Sequence, residues 1–274
     1  MRRTIVTIRA GSGLTALNLA EVWRFRELLG GLAFRDIKLR YRQTALGAAW
    51  VILQPLMAAG IFSFVFGSVA KLSSGKLPYF VFSYAGLLGW NAFSSTLTKA
   101  SSCLVGNANL VSKVYFPRLI LPLSIVPSTL IDFAIAMVVM VGMMIWFKVQ
   151  VTAAIFLLPV WFILIQMMAL GAGLYASALM VSYRDVQYIL PVAVQMLLYG
   201  SPIAYMMNQV PEKLRIFVLL NPLSELMEAF RWSLVGEGAI NWVGLSYSIA
   251  VSIAAFVIGA MVFKQMERKF ADVI

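Results

Sequence analysis

Histidine is absent from the chain, and cysteine occurs once, at Cys103. The first absence removes the commonest metal ligand and the side chain most often used as a general base. The second excludes a disulfide framework and any cysteine-based metal centre, so no metal site is expected. Charge is also scarce. Charged residues make up 12% of the 274 residues, about half the share of a soluble domain. Eleven are acidic and 22 are basic, which leaves a net charge of +11. Disorder requires low hydrophobicity, but 61% of the residues are hydrophobic and the mean hydropathy is +0.88. An ordinary cytosolic enzyme is excluded on the same numbers, and a polytopic membrane protein remains. The basic residues lie beside apolar runs, so anionic lipid headgroups rather than nucleic acid are the expected partner.

A helix needs about 20 apolar residues to cross a hydrocarbon core of about 30 Å. Six stretches qualify, at 46–70, 79–104, 119–147, 153–181, 186–207 and 242–263. The second turns polar from Ser94-Ser95-Thr96 through Lys99. Its membrane part is expected to end near Leu97, with the helix continuing beyond. Sixteen Lys and Arg fall on the side of the two termini and six on the other. The positive-inside rule then puts both termini in the cytoplasm, as an even number of spans requires. Residues 1–17 lack the apolar core of a signal peptide, so span one is expected to act as an uncleaved insertion signal. The expected organisation is a cytoplasmic N-terminal segment, 1–45, and an all-α transmembrane domain of six helices, 46–274.

Residues 18–42 have the pattern of an amphipathic interface helix. Arg24, Glu27, Arg35, Lys38 and Arg42 share one face, and Val22, Phe25, Leu29 and Leu32 another. Gly30-Gly31 is expected to break or bend it, since glycine costs about 1 kcal/mol in a helix interior. The helix is an anchor, and Arg35, Lys38, Arg40 and Arg42 are candidates for receiving an anionic lipid substrate. Two connections fall on the inner side, 106–118 and 182–186. In the first, Asn109 is read as the cap of a short helix from Leu110 to Tyr115, with Pro117 restarting the chain. Both are turns that a cytoplasmic partner could grip, through Asn109, Lys113, Tyr115, Phe116, Arg184 and Asp185.

The outer segment 208–241 is expected to form two helices. The first runs from Glu212 to Leu220. Asn221 and Pro222 then occupy the N-cap and first positions of a second helix that reaches Val235. Leu226, Met227, Phe230 and Leu234 share one face of it, and Glu225, Glu228 and Arg231 the other. This is either a surface loop or a helical hairpin lying on or dipping into the outer leaflet as a lid. Pro222, Glu228, Phe230 and Arg231 are the candidate outer-gate residues.

Asp132 is the one ionisable side chain placed deep within a span, and such a group is a functional candidate by default. Its bland role is to pin helix packing beside Pro122 and Pro127. Its sharper role is ion coupling, as a carrier would require. No G-x-x-x-x-G-K-[ST] loop occurs, so the chain is not expected to hydrolyse ATP, and it carries no recognisable hydrolase or transferase motif. Aromatics make up 13%. Most are belt or packing residues. Phe62, Phe66, Tyr84, Trp90, Tyr199 and Tyr205 are candidates for a pore wall on which sugar faces could stack.

Several strings carry a resemblance. Phe34-Arg35-Asp36-Ile37-Lys38-Leu39-Arg40-Tyr41-Arg42-Gln43-Thr44 precedes Leu46-Gly47, Trp50 and Gln54-Pro55. Lys113-Val114-Tyr115-Phe116-Pro117-Arg118 precedes Leu121-Pro122, and Asn221-Pro222 precedes Phe230-Arg231-Trp232. In this order, and over nearly the whole chain, they resemble the type-2 ABC exporter permeases of bacterial polysaccharide export. Those are the membrane subunits for O-antigen, capsule and teichoic acid export. The resemblance implies a homodimer in the bacterial inner membrane, driven by two separate cytoplasmic ATPase subunits that hold ATP and magnesium. This chain itself would need no cofactor. It also implies that 18–42 serves the interface and receives a lipid-linked glycan, that 106–117 and 182–186 couple to the ATPase, and that 211–235 gates. O-antigen and capsule stay undivided, with teichoic acid ranked behind them. An ion-coupled carrier using Asp132 and a membrane assembly scaffold are the alternatives.

Overall fold

The computed structural model describes residues 19–42 and 49–273, except for the side chains at 19–20, 41–42, 268–269 and 271–273. Among the described residues the fold is entirely helical. Helices α1 (Leu19–Arg24) and α2 (Arg26–Arg42) precede α3 (Ala49–Phe62), which continues as a π-helical stretch, Ser63–Val69. Then come α4 (Tyr79–Gly106), α5 (Ala108–Lys113), α6 (Ile120–Leu123) and α7 (Ile125–Trp146). A 3-10 turn, Ala153–Leu157, leads into α8 (Leu158–Ser182), followed by α9 (Val186–Gly200). The chain closes with α10 (Glu212–Leu220), α11 (Pro222–Val235) and α12 (Trp242–Val273).

Four helical stretches are long and apolar enough to cross a membrane: Ala49–Val69, Ile120–Trp146, Ala153–Ser182 and Trp242–Glu267. This is a multi-pass membrane protein. The expected second span, α4, has 28 residues but is too polar to join that set. Its polarity has a structural reason. Helix α4 is the central helix, packed against α3, α7, α8 and α11; its N-terminal half is largely buried, and the polar stripe Asn91, Ser95, Thr98 and Lys99 lines a cleft. A helix enclosed by protein can place polar groups against partners. Thr96 Oγ1 donates to Gln166 Oε1 of α8 at 2.7 Å and lies 3.1 Å from Thr129 Oγ1 of α7.

The expected fifth span is shorter than the sequence pattern. Helix α9 has 15 residues, about 22 Å of rise, and ends at Gly200 rather than at 207. Pro202 cannot supply a backbone N–H there, and Ser201 is instead held by Asn221 Nδ2 at 2.9 Å. Helices α8 and α12 approach closely because both have glycine at the crossing. A Cβ added to Gly171 or to Gly259 would run into backbone of the other helix.

The N-terminal helix also departs from its pattern. The break falls at Phe25, and α2 runs straight through Gly30-Gly31. Docking supplies the compensation. Val22 and Leu32, with Phe25, Leu28 and Leu29, join Cys103, Leu104, Phe116, Ile120, Phe263 and Phe270 in one apolar cluster. The apolar face predicted to rest on lipid headgroups is therefore packed on protein. Trp23, Phe34 and Leu39 are the exposed apolar residues of this segment.

Candidate functional site

The docking of α2 brings together three charged residues that are far apart in sequence. Arg40 of α2 and Lys99 of α4 both reach Asp132 Oδ2 of α7, Lys99 Nζ at 3.2 Å. Helices α4 and α7 run antiparallel, as the Tyr84–Ala136 and Thr96–Thr129 bonds show. Lys99 lies one turn past Thr96 and Asp132 one turn past Thr129, so the two are offset and the long lysine stem spans the gap. The three side chains are partly open, Asp132 at 17% exposure, Lys99 at 28% and Arg40 at 37%. Asp132 is thus not the solitary acid that the sequence pattern suggested. Lys99, expected beyond the membrane part of α4, is beside it.

This cluster forms the wall shared by two polar clefts. One, of about 300 Å³, is also lined by Arg35, Ser124 and Ser128. The other, of about 530 Å³, is lined further by Trp50, Gln54, Asn91 and Ser95. Arg35 is tethered, with Nη2 donating to Asp36 Oδ1 and to Asn107 Oδ1, both at 2.9 Å. Asn107 in turn donates to Cys103 O at 2.8 Å. Lys38 is exposed. The Arg42 side chain lies outside the described residues. The other three basic residues expected to act together therefore have different roles: Arg35 ties α2 to the end of α4, Arg40 ties it to α7, and Lys38 is exposed.

The connection after α4 begins its helix earlier than predicted. Asn107, not Asn109, occupies the N-cap position of α5, and its side chain is engaged by Arg35 rather than by the helix. Asn109, Lys113 and Tyr115 are exposed. Phe116 is buried in the α2-docking cluster, where it fixes the loop rather than presenting a ring to a partner. Arg184 and Asp185, between α8 and α9, are both exposed.

The outer helix pair starts as predicted. Asn221 Oδ1 accepts from Leu223 N at 3.1 Å, Pro222 begins α11, and Gly236 ends it with φ of +74°. Its polar face is a correction. Glu225, Glu228 and Arg231 are as buried as Leu226 and Phe230, so α11 is neither a surface loop nor a helix lying on a leaflet. Arg231 is fully buried, donates to Pro202 O at 2.7 Å, sits 4.2 Å over the Phe82 ring and lies 3.7 Å from Glu228 Oε1. Burial pushes the Glu225 carboxyl up to about 7, aided by neighbouring Glu228, and raises Glu228 too. It lowers Arg231 to about 10.

The aromatic candidates divide as well. Tyr84 and Trp90 are core residues, Tyr84 bonded to Ala136 O and Trp90 packed on Phe93. Neither ring faces an open surface, because both are buried in the packed N-terminal half of α4. Phe62 and Phe66 stack edge to face with centroids 5.5 Å apart and stay partly exposed. Tyr199 is exposed, and Tyr205 O–H reaches its carbonyl at 3.4 Å. Sequence reasoning missed Lys99 and Asn107. The available signal was the polar run within α4, which needed partners if it was to stay in the helix core.

Comparison with known proteins gives a consistent result. The ABC-2 type transporter family matches residues 27–235, from α2 to the end of α11. The O-antigen export system permease protein RfbA of Klebsiella pneumoniae is 27% identical over 250 residues, 90% of this chain and 95% of that protein. The protein of the same name from Myxococcus xanthus is 26% identical over 257 residues, 93% and 98% of the two chains. The polysialic acid transport protein KpsM of Escherichia coli is 24% identical over 243 residues, 86% and 92% of the two.

Proposed function

Because the chain belongs to the ABC-2 type transporter family, we infer that it is the membrane permease of a polysaccharide export system of the O-antigen or capsule type. The carrying observation is similarity to O-antigen and polysialic acid export proteins over 86–93% of the chain. In this reading α4 and α9 join the four long apolar stretches to make six spans, with both termini cytoplasmic in the bacterial inner membrane. Helix α4 can cross despite its polarity because its polar groups either meet protein partners, as Thr96 does, or line a cleft, as Asn91 and Ser95 do. Two copies form the pore, and two separate ATPase subunits supply ATP hydrolysis with their own magnesium. The exposed Asn109, Lys113 and Tyr115 and the Arg184–Asp185 turn are the surfaces offered to them.

The solvent problem then sets the order of events. A hydrophilic glycan cannot cross hydrocarbon unaided, whereas its lipid carrier can remain in the bilayer. The carrier's phosphate meets the basic face of α2 and the charged cleft behind it. ATP-driven movement of the inner connections is transmitted through Phe116, which is packed against α2 and α12. Helices α10 and α11 form the outer gate, with buried α11 as its fixed frame and exposed α10 as its moving part. An ion-coupled carrier fits less well, since a proton or sodium ion approaching Asp132 would meet Arg40 and Lys99. The test is reconstitution. The purified chain alone should hydrolyse no ATP, and the complex with its ATPase should be stimulated by a lipid-linked polysaccharide. Hydrolysis by the chain alone, or an assembled complex indifferent to glycan, overturns the reading.

A further inference from the structure

We propose that Arg40 and Lys99 form a binding site for a phosphoryl anion, and that the Asp132 carboxylate is a built-in competitor that holds the site closed until such a group displaces it. The polysaccharide-export reading enters only in naming where the anion comes from. The two cations converge on one oxygen of Asp132, and Asp36 in the same cleft is paired with Arg35, so three cations face two acids and an excess positive charge remains. A terminal phosphate offers up to two negative charges and three acceptor oxygens, and a diphosphate joining a lipid to a sugar offers two charges and four non-bridging oxygens, against one charge and two oxygens on Asp132. Either can therefore engage both cations at once and release the acid.

The surroundings suit an exchange rather than a permanent brace. All three side chains are partly exposed, and the cluster opens on polar clefts from both sides. Arg35 adds a further guanidinium to the smaller cleft, already positioned by Asn107. Exchange also has a mechanical consequence. Arg40 is on α2 and Asp132 on α7, so the pair latches the N-terminal helix to the helix core. A ligand that takes Arg40 from Asp132 opens the latch without breaking the apolar docking of Val22 and Leu32. Occupancy of the cleft is thereby reported to α2, and through Arg35 and Asn107 to the α4–α5 junction.

A built-in competitor has a signature that a structural acid lacks. If Asp132 must be displaced, apparent affinity is reduced by the fraction of time it holds the cations. Asp132→Asn should then bind the anion several-fold more tightly, whereas Lys99→Gln should bind it about tenfold more weakly by losing a charged hydrogen bond. The experiment measures farnesyl diphosphate binding to the purified permease in phosphatidylcholine nanodiscs, with farnesol and inorganic phosphate as competitors. Displacement by phosphate but not by farnesol is expected. Repeating it with phosphatidylglycerol in the disc separates the sources. Loss of farnesyl diphosphate binding there assigns the site to bilayer lipid, and persistence assigns it to a lipid-linked substrate; both uphold the site. Unchanged or weaker binding by a normally melting Asp132→Asn protein overturns it. So does unchanged binding by Lys99→Gln, which keeps the test decisive if the first variant fails to fold. Glycan stimulation of the wild-type ATPase complex is measured separately, so the export reading and this site can fail independently.

Discussion

Two charged clusters sit about 25 Å apart along α4, near Lys99 and near Phe82, and they differ in composition and setting. At Lys99, two cations share one acid, the side chains are partly open, and polar clefts lie on either side. At Phe82, α11 brings two acids and one cation into a closed core, with Arg231 capped by an aromatic ring and a carbonyl. The same side-chain chemistry therefore serves opposite ends. A partly hydrated pair can exchange partners at small cost. A dry one cannot, because any partner lost leaves an uncompensated charge in low dielectric. The open cluster suits a ligand, and the closed one suits a brace that holds α11 against α4.

The largest effect should come from breaking the brace. Arg231→Ala removes the ion-pair neighbour of Glu228, the Pro202 contact and the stack on Phe82. A loss of about 3–5 kcal/mol is expected, read as thermal unfolding in detergent. Replacing Arg231 by Met and Glu228 by Gln together should recover much of it, since no buried charge is then stranded. Acidity probes the same cluster. The Glu225 carboxyl is raised from 4.5 to about 7, so the native chain keeps a proton that the unfolded chain gives up between those values. Stability should be greatest below pH 4.5 and fall as pH rises through 7, by on the order of 3 kcal/mol. Glu228 opposes ionisation of Glu225, and Arg215 favours it. Glu225→Gln should flatten this slope; a slope that survives in the variant belongs to another group.

The open cluster should tolerate more. Asp132→Asn separates two ion pairs that water already weakens, at a cost of about 1 kcal/mol or less. Export by this variant, at matched expression, should persist. A loss of export together with a loss of proton or sodium dependence seen in wild type would point to ion coupling, a loss without such dependence would point to the latch with Arg40, and a stability loss as large as that of Arg231→Ala would erase the distinction between the clusters.

Local chemistry was readable in the sequence. Asn221-Pro222 announced the start of α11, Glu212 to Leu220 gave α10, and the long apolar runs gave the four stretches able to span a membrane. What sequence patterns miss is which neighbour covers a face. A periodicity that separates Glu228 and Arg231 from Phe230 predicts a wet face only when the helix has one packed side, and α11 is enclosed. Gly30-Gly31 is a break signal in an isolated helix, but here the docked residues around it hold α2 straight. Arg40 and Asp132 are 92 positions apart, and no local spacing joins them. The polar run of α4 was a visible clue, since polar groups in a membrane helix need partners.

The smallest effect separates the cleft from the open surface of α2. Lys38 is exposed, whereas Lys99 is 28% exposed and lies against Asp132. A basic residue near an anionic surface is worth about 1 kcal/mol, so Lys38→Ala should weaken the apparent affinity for a lipid-linked substrate about fivefold at low salt. That contribution acts through water. At 1 M salt the Debye length falls to about 3 Å, and the difference between Lys38→Ala and wild type should vanish. Lys99 acts at contact distance from within a cleft, where mobile ions screen it less. The defect of Lys99→Gln should therefore persist across the same salt range. Substrate-stimulated ATP hydrolysis, measured for both variants at low and high salt, reads the two against each other. Parallel loss of both defects with salt would make Lys99 one more surface charge, and the open cluster would then have no claim to be a site.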